Sequence, residues 1–455
     1  MNQQELDISK DFSAISDEQW RDLVIKDLKG KDFSETLEWK ANEKLNFQPY
    51  YRNSDFNKIT NPERFRVLSK DWVIQQNFGA SNVSNAKILD ALEKGAEGIG
   101  IELSAQSDLN SLLKGVYIDA ISLHLTGDIS NTTLAHLDKV VAEKGIEKSS
   151  IHGMIAFAPL TIAIENGMNQ SVVELAEAIQ SHGTDYSNLK MIHIDARIVK
   201  NSGGNEIQEI GFALAQANEY IDQLTKAGIE ASTAINKMGF SFSFGTSYFM
   251  EIAKTRAFRF LFQSLVQQYK VSVEPTIYAE TAAIVYSKKD PYTNLLRATT
   301  AAMSAVIGGC NNLVVLPHNI GLEQTSDFAD RIARNIQIVV KEEAHLAKVK
   351  DAGAGSYYIE QMSDELAKEA WSFFQVIENT GGYLSAIQSE FIQNAVAKSR
   401  KVTQDALANE SEIRIGINKF QAADQSELNE LPVKEIVGKE FKAMNAIRWS
   451  TPFEK

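Results

Sequence analysis

Four residues stand where short apolar runs end, and their types could carry chemistry there. Arg197 and Lys200 close the run Met191–Val199 (MIHIDARIV), and a guanidinium beside an ammonium can hold a phosphate or a carboxylate. The competing reading is a basic strand end salt-bridged to neighbouring acids. Glu280 ends Val271–Glu280 (VSVEPTIYAE), where it suits a general base or a carboxylate paired with Arg or Lys. His318 follows the proline that closes Leu313–Pro317 (LVVLP), a place for a loop histidine or a substrate contact. These four are the candidate substrate-binding residues, and spacing alone names no reaction for them.

Other reactive types read as structural. His152 and His193 lie within apolar runs, as core or interface histidines do. The 7 histidines form no HExxH, no HxH and no cluster at ligand spacing, so no metal site is expected. Cys310 has no basic partner beside it and reads as buried. Arg256 and Arg259, beside Glu251 and Lys254, read as an i,i+4 ion-pair network rather than an anion site.

The elements that must position these residues alternate. Apolar runs occur at Gly98–Leu103, Tyr117–Leu125, Ser150–Phe157, Met191–Val199, Phe240–Phe244, Val271–Glu280, Leu313–Pro317 and Ser356–Glu360. Segments of helical periodicity separate them, such as Ile210–Leu224 and Tyr248–Gln267. Eight such alternations predict a (β/α)8 TIM barrel, whose usual size is about 250 residues, with its chemistry at the C-terminal strand ends. A doubly wound open sheet also alternates, but no GxGxxG follows the first run and no GxxxxGK[ST] occurs. Residues 1–85 read as an N-terminal arm and helical subdomain, 86–360 as the barrel, and 361–455 as closing helices and a polar tail.

Composition narrows the class. Lys plus Arg number 46 against 59 Asp plus Glu, a net charge of -13 that argues against nucleic-acid or anionic-membrane partners. The single cysteine forbids an internal disulfide and a multi-thiolate zinc site. The polar, acidic N-terminus is neither a signal nor a transit peptide, and the longest apolar run, Met154 to Ile164, contains a proline and is too short for a bilayer. A cytoplasmic location is expected.

Several stretches go beyond pattern: YFMEIAKTRA (248–257), DPYTNLLRATTAAMSAVIGG (290–309), DFADRIARNIQ (327–337), GAGSYYIE (353–360) and ENTGGYLSAI (378–387). With QEIGFALAQANEYIDQL (208–224) and the W…Y segment Leu37–Tyr51, the chain resembles the coenzyme B12-dependent acyl-CoA mutases, specifically the methylmalonyl-CoA mutase family. The resemblance implies a TIM barrel, an N-terminal arm that embraces a partner, and an isomerase complex interconverting methylmalonyl-CoA and succinyl-CoA.

Departures from the family pattern are as informative. Where the family carries its catalytic Tyr-His pair this sequence has Arg197 and Ile198, and isoleucine cannot donate to a thioester carbonyl. The family's Ile-Gln-Asn becomes Ile155-Ala156-Phe157, its Leu-His-Thr-Asn becomes Leu313–Leu316, and its strand-six histidine becomes Tyr278 with Ala282-Ala283 beyond. The tyrosine-bearing loop before the barrel has no counterpart near Asp71–Phe78, and the Asp-x-His of the cobalt-ligating domain occurs nowhere. What the resemblance implies is a small (beta) subunit without catalytic residues, cofactor-binding residues or a cobalamin domain, supporting a large subunit that binds adenosylcobalamin in a heterodimer. The alternatives are an active barrel subunit served by a separate cobalamin-binding chain, or an acyl-CoA-binding regulatory barrel using Arg197, Lys200 and Glu280. In the family the CoA tail threads the barrel axis; bulky Tyr117, Phe157, Phe242, Phe244 and Tyr278 suggest that it is plugged here, with register left open.

Overall fold

The computed structural model describes residues 15–68, 71–320, 326–421 and 435–454. The N-terminal peptide read for targeting lies outside the described residues up to position 14, as does part of the polar tail. Eight parallel strands close into one barrel. They are β1 (Val73–Phe78), β2 (Gly98–Leu103), β3 (Ser122–Gly127), β4 (His152–Phe157), β5 (Leu189–Asp195), β6 (Met238–Phe244), β7 (Thr276–Thr281) and β8 (Asn312–Val314). The seam is closed by β8 on β1, with Leu313 opposite Ile74. The predicted TIM barrel is therefore the fold.

Two elements differ from the sequence expectation. Val73–Phe78 (VIQQNF) is the first strand, although Gln75 and Asn77 break its apolar run. Ser356–Glu360, read as the last strand, opens a helix instead. Ser356 caps that helix by accepting the Ile359 N–H, and Glu360 places its charge in the first turn.

The helices used below are α1 (Asp17–Asp27), α2 (Pro159–Asn166), α3 (Arg197–Asn201), α4 (Glu206–Lys226), α5 (Tyr248–Gln267), α6 (Asp327–Ile338) and α7 (Tyr357–Asn379). Helices α4 and α5 are buried nearly all round, because the barrel covers one side of each and α7 packs across the other. Before the barrel, α1 buries none of its residues and is held through Trp20, whose ring lies 5.6 Å from that of Tyr50. A short ribbon pairs Trp39 with Phe47, and Phe47 is fully buried. Among the described residues no helix is long and apolar enough to cross a membrane.

Candidate functional site at the barrel mouth

Strand alternation sends Ile99, Ile101 and Leu103 of β2 toward the helices and leaves Gly100 facing the barrel interior. The interior is mostly small or polar rather than filled with branched aliphatics, the usual barrel filling. A Cβ added at Gly100 would lie 2.0 Å from Asn77 Oδ1, so a larger residue there would displace the Asn77 side chain. Across the middle runs one layer. The Tyr278 ring stands edge-on to His124 at 4.5 Å, against Met154 and Ala156. Asn312 Nδ2 donates to Gln75 Oε1 and to Ser122 Oγ, each at 3.1 Å. Above this layer lies a cavity of about 580 Å³ at the C-terminal mouth, and below it one of about 660 Å³. Tyr278 lines both.

Of the five bulky residues expected in the axis, only Tyr278 stands there. Tyr117 is 78% exposed, whereas Phe157, Phe242 and Phe244 are buried among the core apolar residues. Phe242 meets Phe258 of α5 at 4.7 Å, and the Lys254 ammonium sits 4.4 Å from the centre of the Phe244 ring.

The upper cavity brings Arg197 and Glu280 together. Strand β5 ends at Asp195, and the chain turns at once into α3. Asp195 Oδ1 accepts both the Arg197 backbone N–H (3.1 Å) and its Nε (2.8 Å), while Oδ2 accepts Nη2 at 2.6 Å. Arg197 Nη1 donates to Glu280 Oε2 at 2.6 Å. Burial opposes the guanidinium charge, but Asp195 and Glu280 outweigh it and hold Arg197 protonated. Burial likewise works against Asp195, yet its paired bonds to Arg197 bring it below the usual range. Glu280, with one such bond, is left raised by burial.

Sequence reasoning missed Glu165 and His124 on this wall, and it read His193 as the core or interface histidine that it is. Burial pushes Glu165 of α2 up to about 7, and repulsion from Asp195 adds to it. His193 Nε2 lies 2.8 Å from Ser241 Oγ, and burial lowers His193 to about 4 and His124 to about 3, so both are neutral at pH 7. The spacing Asp195-x-Arg197 at a strand end was the available signal for the pair. Glu165 had none, because only the fold carries α2 back over the mouth.

Lys200 and His318 are not part of this cavity. Lys200 points behind it to Glu206 and to Glu251 at 3.1 Å, and Lys254 bonds Glu209 at 2.9 Å and Glu251 at 2.6 Å. Two ammoniums among three carboxylates thus pin α3, α4 and α5 together. His318 stacks on Tyr292 at 5.4 Å, with Phe328 edge-on at 6.2 Å. Ile198 packs against the core. His152 is exposed and lines the lower cavity rather than the core. Arg256 bonds Asp351 and Glu360 rather than neighbours on α5, and Arg259 donates to the Gly309 carbonyl. Cys310 is buried, its thiol raised by burial to about 12.

Glu165 makes the site's response to pH checkable. Its folded pKa lies above the ordinary 4.5, so between these values the folded chain keeps a proton that the unfolded chain has lost. The stability tied to that proton is complete below pH 4.5 and is lost as pH rises through about 7. Glu165→Gln cannot ionise. It is expected to melt with the parent near pH 4.5 and above it at pH 8.5, by the equivalent of about 2–3 kcal/mol. Thermal melts at the two pH values check this, and an unchanged difference between them contradicts it.

The family model described as methylmalonyl-CoA mutase matches residues 90–451. The methylmalonyl-CoA mutase small subunit of Porphyromonas gingivalis is 32% identical over 435 residues, covering 90% of this chain and 70% of that protein. The small subunit of Streptomyces virginiae is 28% identical over 447 residues, covering 91% and 72%. The methylmalonyl-CoA mutase of Rhizobium meliloti is 24% identical over 467 residues, covering 91% and 65%. With its closed barrel, a family match over most of its length and a relative above 30% identity, the chain belongs to the methylmalonyl-CoA mutase family.

Proposed function

We propose that this chain is the small subunit of a heterodimeric methylmalonyl-CoA mutase, and that it supports a catalytic large subunit without performing the isomerisation itself. The observation that carries this reading is the commitment of Arg197. One N–H on each of its three nitrogens is taken by Asp195 or Glu280, and two carboxylates already offset its charge, so Arg197 is a poor counter-ion for a substrate carboxylate or thioester. An acyl group placed there would face Glu165, Asp195 and Glu280 together. The Tyr278 layer adds to the argument, since it separates the two cavities across the axis that a CoA tail would follow.

Adenosylcobalamin supplies radical chemistry when bound, and in this reading it belongs to the large subunit. The described residues here do not fit it. His124 and His193 are enclosed in the barrel against Ser122 and Ser241, and the His318 ring is packed on Tyr292 and Phe328. None of the three is placed to ligate the cobalt of a corrin over the mouth. A paralogous subunit that keeps its interface while its site decays is a natural outcome of duplicating a symmetric dimer.

The test is assembly and ligand binding. The chain mixed with its large subunit is expected to elute as a one-to-one complex, and the isolated chain to give no saturable heat with methylmalonyl-CoA. Support of the large subunit should appear as a higher melting temperature of that subunit in the complex. A large subunit equally stable and equally active alone contradicts the supporting role. Saturable acyl-CoA binding by the isolated chain contradicts the empty-handed site.

A further inference from the structure

The cavity above the Tyr278 layer carries more acids than the three that the subunit reading uses. Its carboxylates come from opposite halves of the barrel. Glu102 of β2 and Asp330 of α6 stand on one side, and Glu165, Asp195 and Glu280 stand on the other. Against these five acids the described residues of the wall supply two cations. Arg197 is consumed by Asp195 and Glu280. Arg334 donates to the neutral Gln76 Oε1 at 2.6 Å and to the Lys94 carbonyl at 3.0 Å, and with Lys87 it partly offsets the charge of Asp330. No donor among the described residues forms a hydrogen bond to the Glu165 carboxyl.

A second feature on the same wall is independent of charge. Gln337 is 1% exposed and lies two turns along α6 from Asp330, on the same face. Its Nε2 donates to the Gln75 carbonyl at 3.3 Å, while its Oε1 has no donor. A buried acceptor left without a partner is costly, and Gln337 carries this one in the wall of the polar cavity.

The geometry points to a linear polyamine as the ligand of this cavity, with one ammonium toward Glu165 and Asp195 and another toward Glu102 and Asp330. A cavity of about 580 Å³ accommodates such a molecule. Carboxylates set around one partly enclosed mouth focus a negative potential that favours a doubly charged cation over a single one. The same field disfavours an anionic acyl-CoA, but polyamine binding does not depend on the subunit reading and can fail or hold separately from it.

Calorimetric titration of the full chain at low ionic strength tests it, with 1,5-diaminopentane and spermidine as probes and propylamine and magnesium chloride as comparisons. Saturable one-to-one binding of the polyamines is expected, at least about tenfold tighter than propylamine or magnesium. Glu165→Gln and Asp330→Asn, each verified by its melting temperature as folded, should each weaken spermidine at least about tenfold. Near pH 7 the binding heat of the parent should change with the ionisation enthalpy of the buffer, because the ligand displaces the Glu165 proton, and this dependence should vanish in Glu165→Gln. Magnesium binding as tightly as spermidine, heats that match the salt controls, or folded variants that bind like the parent overturn the proposal.

Discussion

Replacing Arg197 by leucine is expected to destabilise the chain by about 3 kcal/mol, the lower end of what breaking a buried ion pair costs. The substitution leaves Asp195 and Glu280 charged on one wall, with their side chains only 14% and 15% exposed. Arg197 itself is 25% exposed, and that residual hydration is why the lower end applies. The cost belongs to the uncompensated acids rather than to the arginine. Neutralising them in the same chain, as Arg197→Leu with Asp195→Asn and Glu280→Gln, should therefore restore most of the lost stability. Urea unfolding midpoints followed by far-ultraviolet circular dichroism separate the two variants. If the single variant unfolds with the parent, the three charges are hydrated independently, and Arg197 is free to receive a substrate. That outcome would remove the main support for a site unable to hold one.

The barrel was legible because its outward-facing positions carry the apolar pattern, as in the Ile99, Ile101 and Leu103 series. Strand β1 was not, for the same physical reason inverted. Its interior positions are Gln75 and Asn77, so a strand lining a polar barrel reads as a polar loop. Tyr357 and Tyr358 misled in the opposite direction, since two aromatic residues suggest a strand while Ser356 quietly caps a helix. Arg197 and Glu280 were recognisable as strand-end charges. Their mutual bond depends on the register between β5, β6 and β7, which period-two reasoning leaves one residue uncertain. That same uncertainty put Phe242 and Phe244 into the axis on paper, when one step of register turns them toward α5.

The second large effect concerns turnover. A mouth whose Arg197 is already offset by two carboxylates, and whose His124 and His193 are enclosed and neutral, offers a thioester little counter-charge. Removing a single preorganised donor from such a site costs roughly a hundred- to a thousandfold in rate. Here several are absent together, so the purified chain with adenosylcobalamin and methylmalonyl-CoA is expected to form no detectable succinyl-CoA. Addition of the large subunit should bring turnover that saturates at equimolar small subunit. In that mixture the Arg197→Leu chain with Asp195→Asn and Glu280→Gln should support the same rate as the parent, because these residues touch no reacting atom.

The most direct measurement is therefore a mutase assay on this chain alone, with a separate cobalamin-binding protein, and with the large subunit. Activity confined to the large-subunit mixture is the result expected of a supporting subunit. Turnover by this chain with the cobalamin protein and no large subunit contradicts the account, because the reaction would then have to run at a mouth where Arg197 is bound to Asp195 and Glu280.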